Sequence, residues 1–306
     1  MSDQMYGKIK NPNKCLRIYK KGGNFGKISI SDDNKSKLID KKYAKHCSNT
    51  KKLETYIDNA KKDEEVVKTL LNEEYLKLAN EAFSNKWKKK NENKEAERDV
   101  ETKIMRKYMN ADNDFITIDM EVKCPKKWFE TMTNDKEIKE IEKKLKKIDA
   151  KGKEKNGLTY KAKFDIISFS EEGIGIIELK VENENTGNIE SHYAHMKHVM
   201  NDENTKKAFL NEIKRRIPYL KKYKLIKNEI INKYEKDIFD NKKLWCGFLF
   251  VGGDKNAIIN TAKKLENYEK INDIKFLYSQ DTESLDFKNW TNYQNFTNEM
   301  DEINGE

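Results

Sequence analysis

The sequence predicts an α/β protein: a mixed central sheet flanked by helices on both faces, preceded by an N-terminal hairpin-plus-helices region. Three observations carry this. "LTYKAKFDIISFS" and "GIGIIELKVEN" are the most strand-like segments of the chain, and the "EEG" between them makes a tight hairpin. Further on, "KLWCGFLFVGG" is apolar without alternation, as a strand buried on both faces is. Stretches with the helical repeat of three and four residues fill the intervals, and that order of strands and helices implies a sheet covered on both sides.

Each element has its own signal. "CLRIYKKGGNFGKISIS" places two short alternating runs around Gly22-Gly23, with Gly26 helping the turn, and reads as a hairpin. From Asn49 to Lys90 the apolar positions Leu53, Ile57, Val67, Leu70, Leu71, Tyr75, Leu78 and Phe83 predict one or two helices, broken near Asp63. "KEAERDVETKIMRKYM" continues as a helix with Val100, Ile104, Met105 and Tyr108 on one face. "FITIDMEVKC", 115–124, alternates as a strand. A charged helix or insertion over 135–153 ends at Gly152. After the central hairpin the chain turns at Gly187 and enters two helical stretches, the second with Pro218 as a bend or break. "NAIINTAKKLENYEK" is a helix that Asn256 caps, and "IKFLYSQ" is the last strand. The boundaries expected are an accessory region over 1–93, a core domain over 94–281 and a polar C-terminal tail over 282–306.

Composition narrows the class. Charged residues make up 38% of the 306, and 62 Lys and Arg against 53 Asp and Glu leave a formal charge of +9. That excess suits a polyanion such as nucleic acid. It also fits a chain in which Lys, Asn, Ile and Glu are enriched together, as an AT-rich genome produces. The four cysteines stand at no CxxC spacing, which argues against a disulfide framework or a zinc finger. No apolar leader opens the chain and no window is apolar enough to span a bilayer, so a soluble, cytoplasmic protein with no membrane partner is expected.

The two central strands carry charge where charge is costly. Asp165 lies in the first; Glu178 and Lys180, two residues apart in the second, face the same way, while Leu179 faces the other. Ladder register can bring Asp165 beside Glu178. Two carboxylates held together call for a cation between them, and oxygen ligands favour Mg²⁺, with Mn²⁺ as its substitute. Other triplets of the same type, Glu121-Val122-Lys123 and Glu212-Ile213-Lys214, show that the string is not rare in this chain. The alternative for Glu178 and Lys180 is a surface hairpin with an ion pair of little worth.

Asp165, twelve intervening residues and then Glu178-Leu179-Lys180 resembles the active-site signature of the PD-(D/E)xK nuclease superfamily. Phe164 stands where the pattern has Pro. The resemblance covers roughly the last two thirds of the chain and implies an αβββαβ restriction-endonuclease-like core that cleaves phosphodiester bonds with Mg²⁺. By this resemblance Asp165 and Glu178 bind the metal with the Leu179 carbonyl, and Lys180 positions the attacking water. The first helix of the core supplies another acid in many members. Glu97 and Glu101 are candidates, and Glu101 is preferred because Val100 and Ile104 bring it nearer the packed side.

The helix after the lysine borders the active site in that family, so His192, Tyr193 and Lys197 are expected to touch substrate phosphates. The same helix offers His192, His195 and His198 three residues apart, a zinc trio as the alternative. "KRRIPYLKKYK", with Arg215 and Arg216, is the densest basic cluster and reads either as a backbone-contacting surface or as a solvated helix face. The family's usual settings imply a DNA endonuclease of restriction or anti-phage defence, acting as a homodimer or larger homo-oligomer for double-strand cutting. The competing expectations are a catalytically inactive nucleic-acid-binding or structural protein that keeps the fold, and a Mg²⁺ enzyme acting on another phosphorylated substrate.

Overall fold

The computed structural model describes residues 6–10, 15–20, 23–29, 36–88, 92–109, 115–146, 158, 162–181, 189–222, 226 and 228–302. The turns expected at Gly22, Gly152 and Gly187, and the end of the basic cluster at Lys224, lie outside the described residues. The chain forms two compact units, Met1–Asn110 with Arg215–Lys227, and Ala111–Lys214 with Asn228–Glu306.

The first unit opens on a four-stranded antiparallel sheet, β1 Tyr6–Lys10, β2 Cys15–Lys20, β3 Gly23–Ser29 and β4 Lys37–Leu38, in that order. β2 and β3 are the predicted hairpin. Gly26 is required for a close approach: a Cβ there would stand 2.6 Å from Leu70 Cδ2 and 2.9 Å from the Lys37 carbonyl oxygen. Three helices then follow where the periodicity predicts one or two: α1 Thr50–Asn59, α2 Asp63–Leu70 and α3 Glu73–Lys88. Polar side chains set their starts. Asn49 accepts from the Lys52 N–H at 3.1 Å, and Glu65 accepts from the N–H groups of Lys61 and Lys62 at 2.9 and 2.8 Å. Asn72 accepts from the Tyr75 N–H at 2.9 Å, which starts a new helix where the apolar repeat runs on.

Leu38, Ile39, Leu53, Val66, Leu70 and Tyr75 are among the core of this unit. The buried Tyr75 hydroxyl accepts from the Ile39 N–H at 3.0 Å, and burial pushes the phenol pKa up. Of the apolar positions that predict these helices, Leu70, Tyr75 and Leu78 are inside and Leu71 is exposed. Helix α4, Glu92–Tyr108, packs on α3. That contact is why the first unit extends past the expected boundary at residue 93.

The second unit is a five-stranded mixed open sheet flanked by helices. Its strands are β5 Phe115–Lys123, β6 Lys163–Ser170, β7 Gly173–Val181, β8 Leu244–Val251 and β9 Ile274–Ser279, adjacent in that order. β5, β6 and β7 are antiparallel; β7, β8 and β9 are parallel. A two-residue turn joins β6 to β7, whereas parallel pairing needs a long crossover. Gly173 closes that turn at φ +131°, and a Cβ there would meet the Lys243 carbonyl oxygen at 2.5 Å. Helix α5, Lys136–Leu145, lies between β5 and β6 in sequence. The first crossover runs through α6 Ile189–Asn201, α7 Glu203–Lys222 and α8 Asn228–Asp240, and the second through α9 Lys255–Ala262. Pro218 sits inside α7 without ending it. Asp254, two residues earlier than the expected Asn256, caps α9 by accepting from the Ala257 N–H at 2.8 Å.

Both faces of the sheet are buried. Phe209 of α7 packs on Phe164, 6.1 Å between ring centres. The opposite face carries Phe248, Phe250 and Phe276, and here the segment beyond residue 281 differs from the polar tail expected. Thr291 pairs with Phe276 at the sheet edge, and helix α10, Tyr293–Glu302, stacks Phe296 on Phe250 at 5.7 Å. The polar surface of "NYQNFTNEM" hides the spaced Tyr293, Phe296 and Met300, all buried.

Candidate metal and catalytic site

The ladder of β6 and β7 pairs Ile167 with Ile176 and Ile166 with Ile177, so the next step sets Asp165 opposite Glu178. Period two puts Ile176, Glu178 and Lys180 on one face and Leu179 on the other, in the core. The parallel pairing sets Phe248 beside Glu178 and Phe250 beside Lys180 on the neighbouring strand. A surface hairpin is excluded: Asp165 is 4% and Glu178 2% exposed.

Two nitrogens meet one oxygen of Glu178. Lys180 Nζ donates to Oε1 at 2.8 Å, and His192 Nδ1, from the first turns of α6, lies 3.0 Å from the same atom. Oε2 is buried with no hydrogen-bond partner among the described residues. Burial pushes this carboxyl up, yet the His192 imidazole and the Lys180 ammonium outweigh it and hold the pKa at about 2. Glu178 is therefore an ionised, buried carboxylate with one bare oxygen, which is costly unless something cationic faces it.

Asp165 is held differently. Its Oδ2 accepts the Leu179 N–H at 3.0 Å, and its Oδ1 lies 3.9 Å from Lys163 Nζ. Lys163 also stands 3.0 Å from Glu121 Oε1. Glu121, at φ +49°, interrupts the β5 ladder between Met120 and Val122, across from Asp165. A side-chain-bearing residue in the left-handed region is a local strain that packing must hold. Lys163 and Glu121 are absent from the sequence-derived site. The signal for Lys163 was present, since a residue two before Asp165 on a strand shares its face.

The structure distributes the remaining candidates among other contacts. Tyr193 and Lys197 are buried: the Tyr193 hydroxyl donates to Glu137 at 2.8 Å, and Lys197 Nζ lies 3.1 Å from both Asp135 and Glu137. Their polar groups are taken up inside the unit, so neither is presented to a polyanion in this state. The three histidines do not converge. His192 meets Glu178, the His195 ring packs edge-on against Phe129 at 5.1 Å, and His198 Nε2 lies 2.9 Å from the Trp128 carbonyl oxygen. Steps of three residues spread them around the helix, and the zinc alternative has no shared ligand point.

On α7, Arg215 is exposed and Arg216 half-buried, with Ile217 and Leu220 packed inward. Both arginines belong to the residues that group with the first unit. Glu97 and Glu101 lie one turn apart on α4 of that unit, Glu97 half-buried and Glu101 buried.

The donor set around Asp165 and Glu178 fits a hard divalent cation. It offers carboxylate oxygens from adjacent strands, and one of them is buried and unpartnered. No helix among the described residues is long and apolar enough to cross a membrane. Comparison with protein-family models, with curated proteins and with solved structures finds no match to the chain.

Proposed function

We propose that the protein is a Mg²⁺-dependent nuclease with a restriction-endonuclease-like core, and that its substrate is DNA. The observation that carries the reading is the bare, buried Glu178 Oε2 beside Asp165, with Lys180 on the same face of the sheet. The strand order supports it as well, because three antiparallel strands followed by helices and a parallel strand agree with the β-part of that core. When bound, the cation polarises a phosphate oxygen and lowers the pKa of water. Asp165 and Glu178 hold it, and the Leu179 N–H keeps Asp165 in place. Lys180 orients the attacking water and steadies the charge that develops on phosphate. The choice of DNA, the Leu179 carbonyl as a further ligand, Glu101 as a further acid, a homodimer for double-strand cutting and a place in restriction or anti-phage defence all come from the resemblance.

One observation favours the competing reading, an inactive binding or structural protein that keeps the fold. The Lys180 ammonium already pairs with Glu178 without any metal, and His192 Nδ1 lies against the same oxygen. Incubating plasmid DNA with the wild-type chain and with Lys180→Met, with and without Mg²⁺, separates the two. Cleavage only by wild type and only with the metal supports the nuclease. Binding without cleavage under every condition supports the alternative.

A further inference from the structure

Two donors fix the orientation of Glu178 through Oε1, and the proposed chemistry calls on one of them. Resting on the nuclease reading, Lys180 has to leave Glu178 to reach water and phosphate. A carboxylate held by that lysine alone would then be free to turn about its last bond. It could rotate its oxygens out of place or swing a bare charge among the phenylalanines of the sheet.

His192 has no such second task. It stands on α6, the helix that packs on β8, and its Nδ1 reaches Oε1 from a side chain that is 27% exposed. We infer that His192 is a positioning residue for Glu178: its Nδ1–H fixes Oε1, so that Oε2 stays presented to the cation while Lys180 is released to the reaction. This replaces the phosphate contact that the sequence reading gives to His192. It is the arrangement in which an outer partner orients a metal ligand, and loss of such a partner typically weakens metal binding by about 10- to 100-fold.

The test measures Mn²⁺ binding by calorimetry at pH 8, without nucleic acid, on wild type, Glu178→Gln, His192→Ala and His192→Asn, with a thermal melt of each to confirm folding. The asparagine amide can place an N–H where Nδ1–H stands. The expected result is about tenfold weaker Mn²⁺ binding in His192→Ala and recovery to within about threefold of wild type in His192→Asn. In cleavage assays His192→Ala should lower kcat and raise the Mg²⁺ concentration required, with KM for DNA unchanged. His192→Ala that binds Mn²⁺ as tightly as wild type overturns this role. So does a defect confined to KM for DNA, which would restore the phosphate contact. A wild-type chain that binds no Mn²⁺, or binds it equally well as Glu178→Gln, overturns the metal reading and this inference together.

Discussion

Replacing Glu178 by Gln should destabilise the protein, although clustered like charge alone suggests relief. The structure sets the sign. Around Asp165, Glu178 and Glu121 stand Lys163 and Lys180, so the acids are already countered. The carboxyl of Glu178 is depressed from 4.5 to about 2, which corresponds to about 3 kcal/mol in favour of its ionised form in the folded chain. Removing that charge takes an ion-pair partner from Lys180, whose side chain is only 12% exposed, and breaking a buried pair from one side costs about 3–5 kcal/mol. The lysine can relax part of the way toward water, so a loss of about 2–3 kcal/mol is expected. For a domain of this size that lowers Tm by roughly 4–12 °C in a metal-free thermal melt at pH 7. The gap should depend on acidity. A carboxyl held below its unfolded value contributes stability that is complete above pH 4.5 and is lost as pH falls through about 2. Wild type and Glu178→Gln should therefore converge across that window. An unchanged or raised Tm at pH 7, or a gap that does not shrink in acid, would refute the reasoning.

Asp165→Ala and Lys180→Ala should each abolish plasmid cleavage in an agarose-gel assay while keeping most DNA binding, because both touch the proposed metal or water rather than the binding surface. Mg²⁺ or Mn²⁺ should support turnover and Ca²⁺ little, since its looser shell holds substrate poorly for reaction; a metal titration after EDTA treatment reads this. In the first unit, Tyr75→Phe leaves the Ile39 N–H without its partner and should cost about 1–3 kcal/mol in urea unfolding. Gly173→Ala must fit a methyl 2.5 Å from the Lys243 carbonyl oxygen at φ +131°, and should destabilise by more than about 2 kcal/mol, seen as a lower urea midpoint.

The central sheet was legible because its strands are apolar runs and the turn between two of them is short. "EEG" between two strand-like runs fixes the β6–β7 ladder, and extending that ladder by one step brings Asp165 to Glu178. The division of the chain was less legible. Helix α4 reads as the start of the core in sequence, yet it packs on α3, a contact between segments that no local pattern reports. Residues 293–302 look polar because their buried Tyr293, Phe296 and Met300 are diluted by Asn, Gln and Glu. On α6 the sequence displays three histidines and a lysine, but not what lies opposite them. Asp135 and Glu137, far from Lys197 in sequence, turn a basic residue into a buried counter-ion. Asp135 is itself held low against its burial by the Ile138 N–H and by Lys197. Charge type was readable, and charge pairing was not.

The central claim is that Glu178 and Asp165 hold a divalent cation that makes the protein cut DNA. The most direct measurement is the Mg²⁺ dependence of supercoiled-plasmid cleavage by wild type, set beside Glu178→Gln at the same protein concentration. The account predicts conversion of supercoiled DNA to nicked or linear forms by wild type, stopped by EDTA and restored by added Mg²⁺, and none by Glu178→Gln at any Mg²⁺ concentration. Cleavage that persists in EDTA, or that Glu178→Gln carries out as fast as wild type, would contradict it.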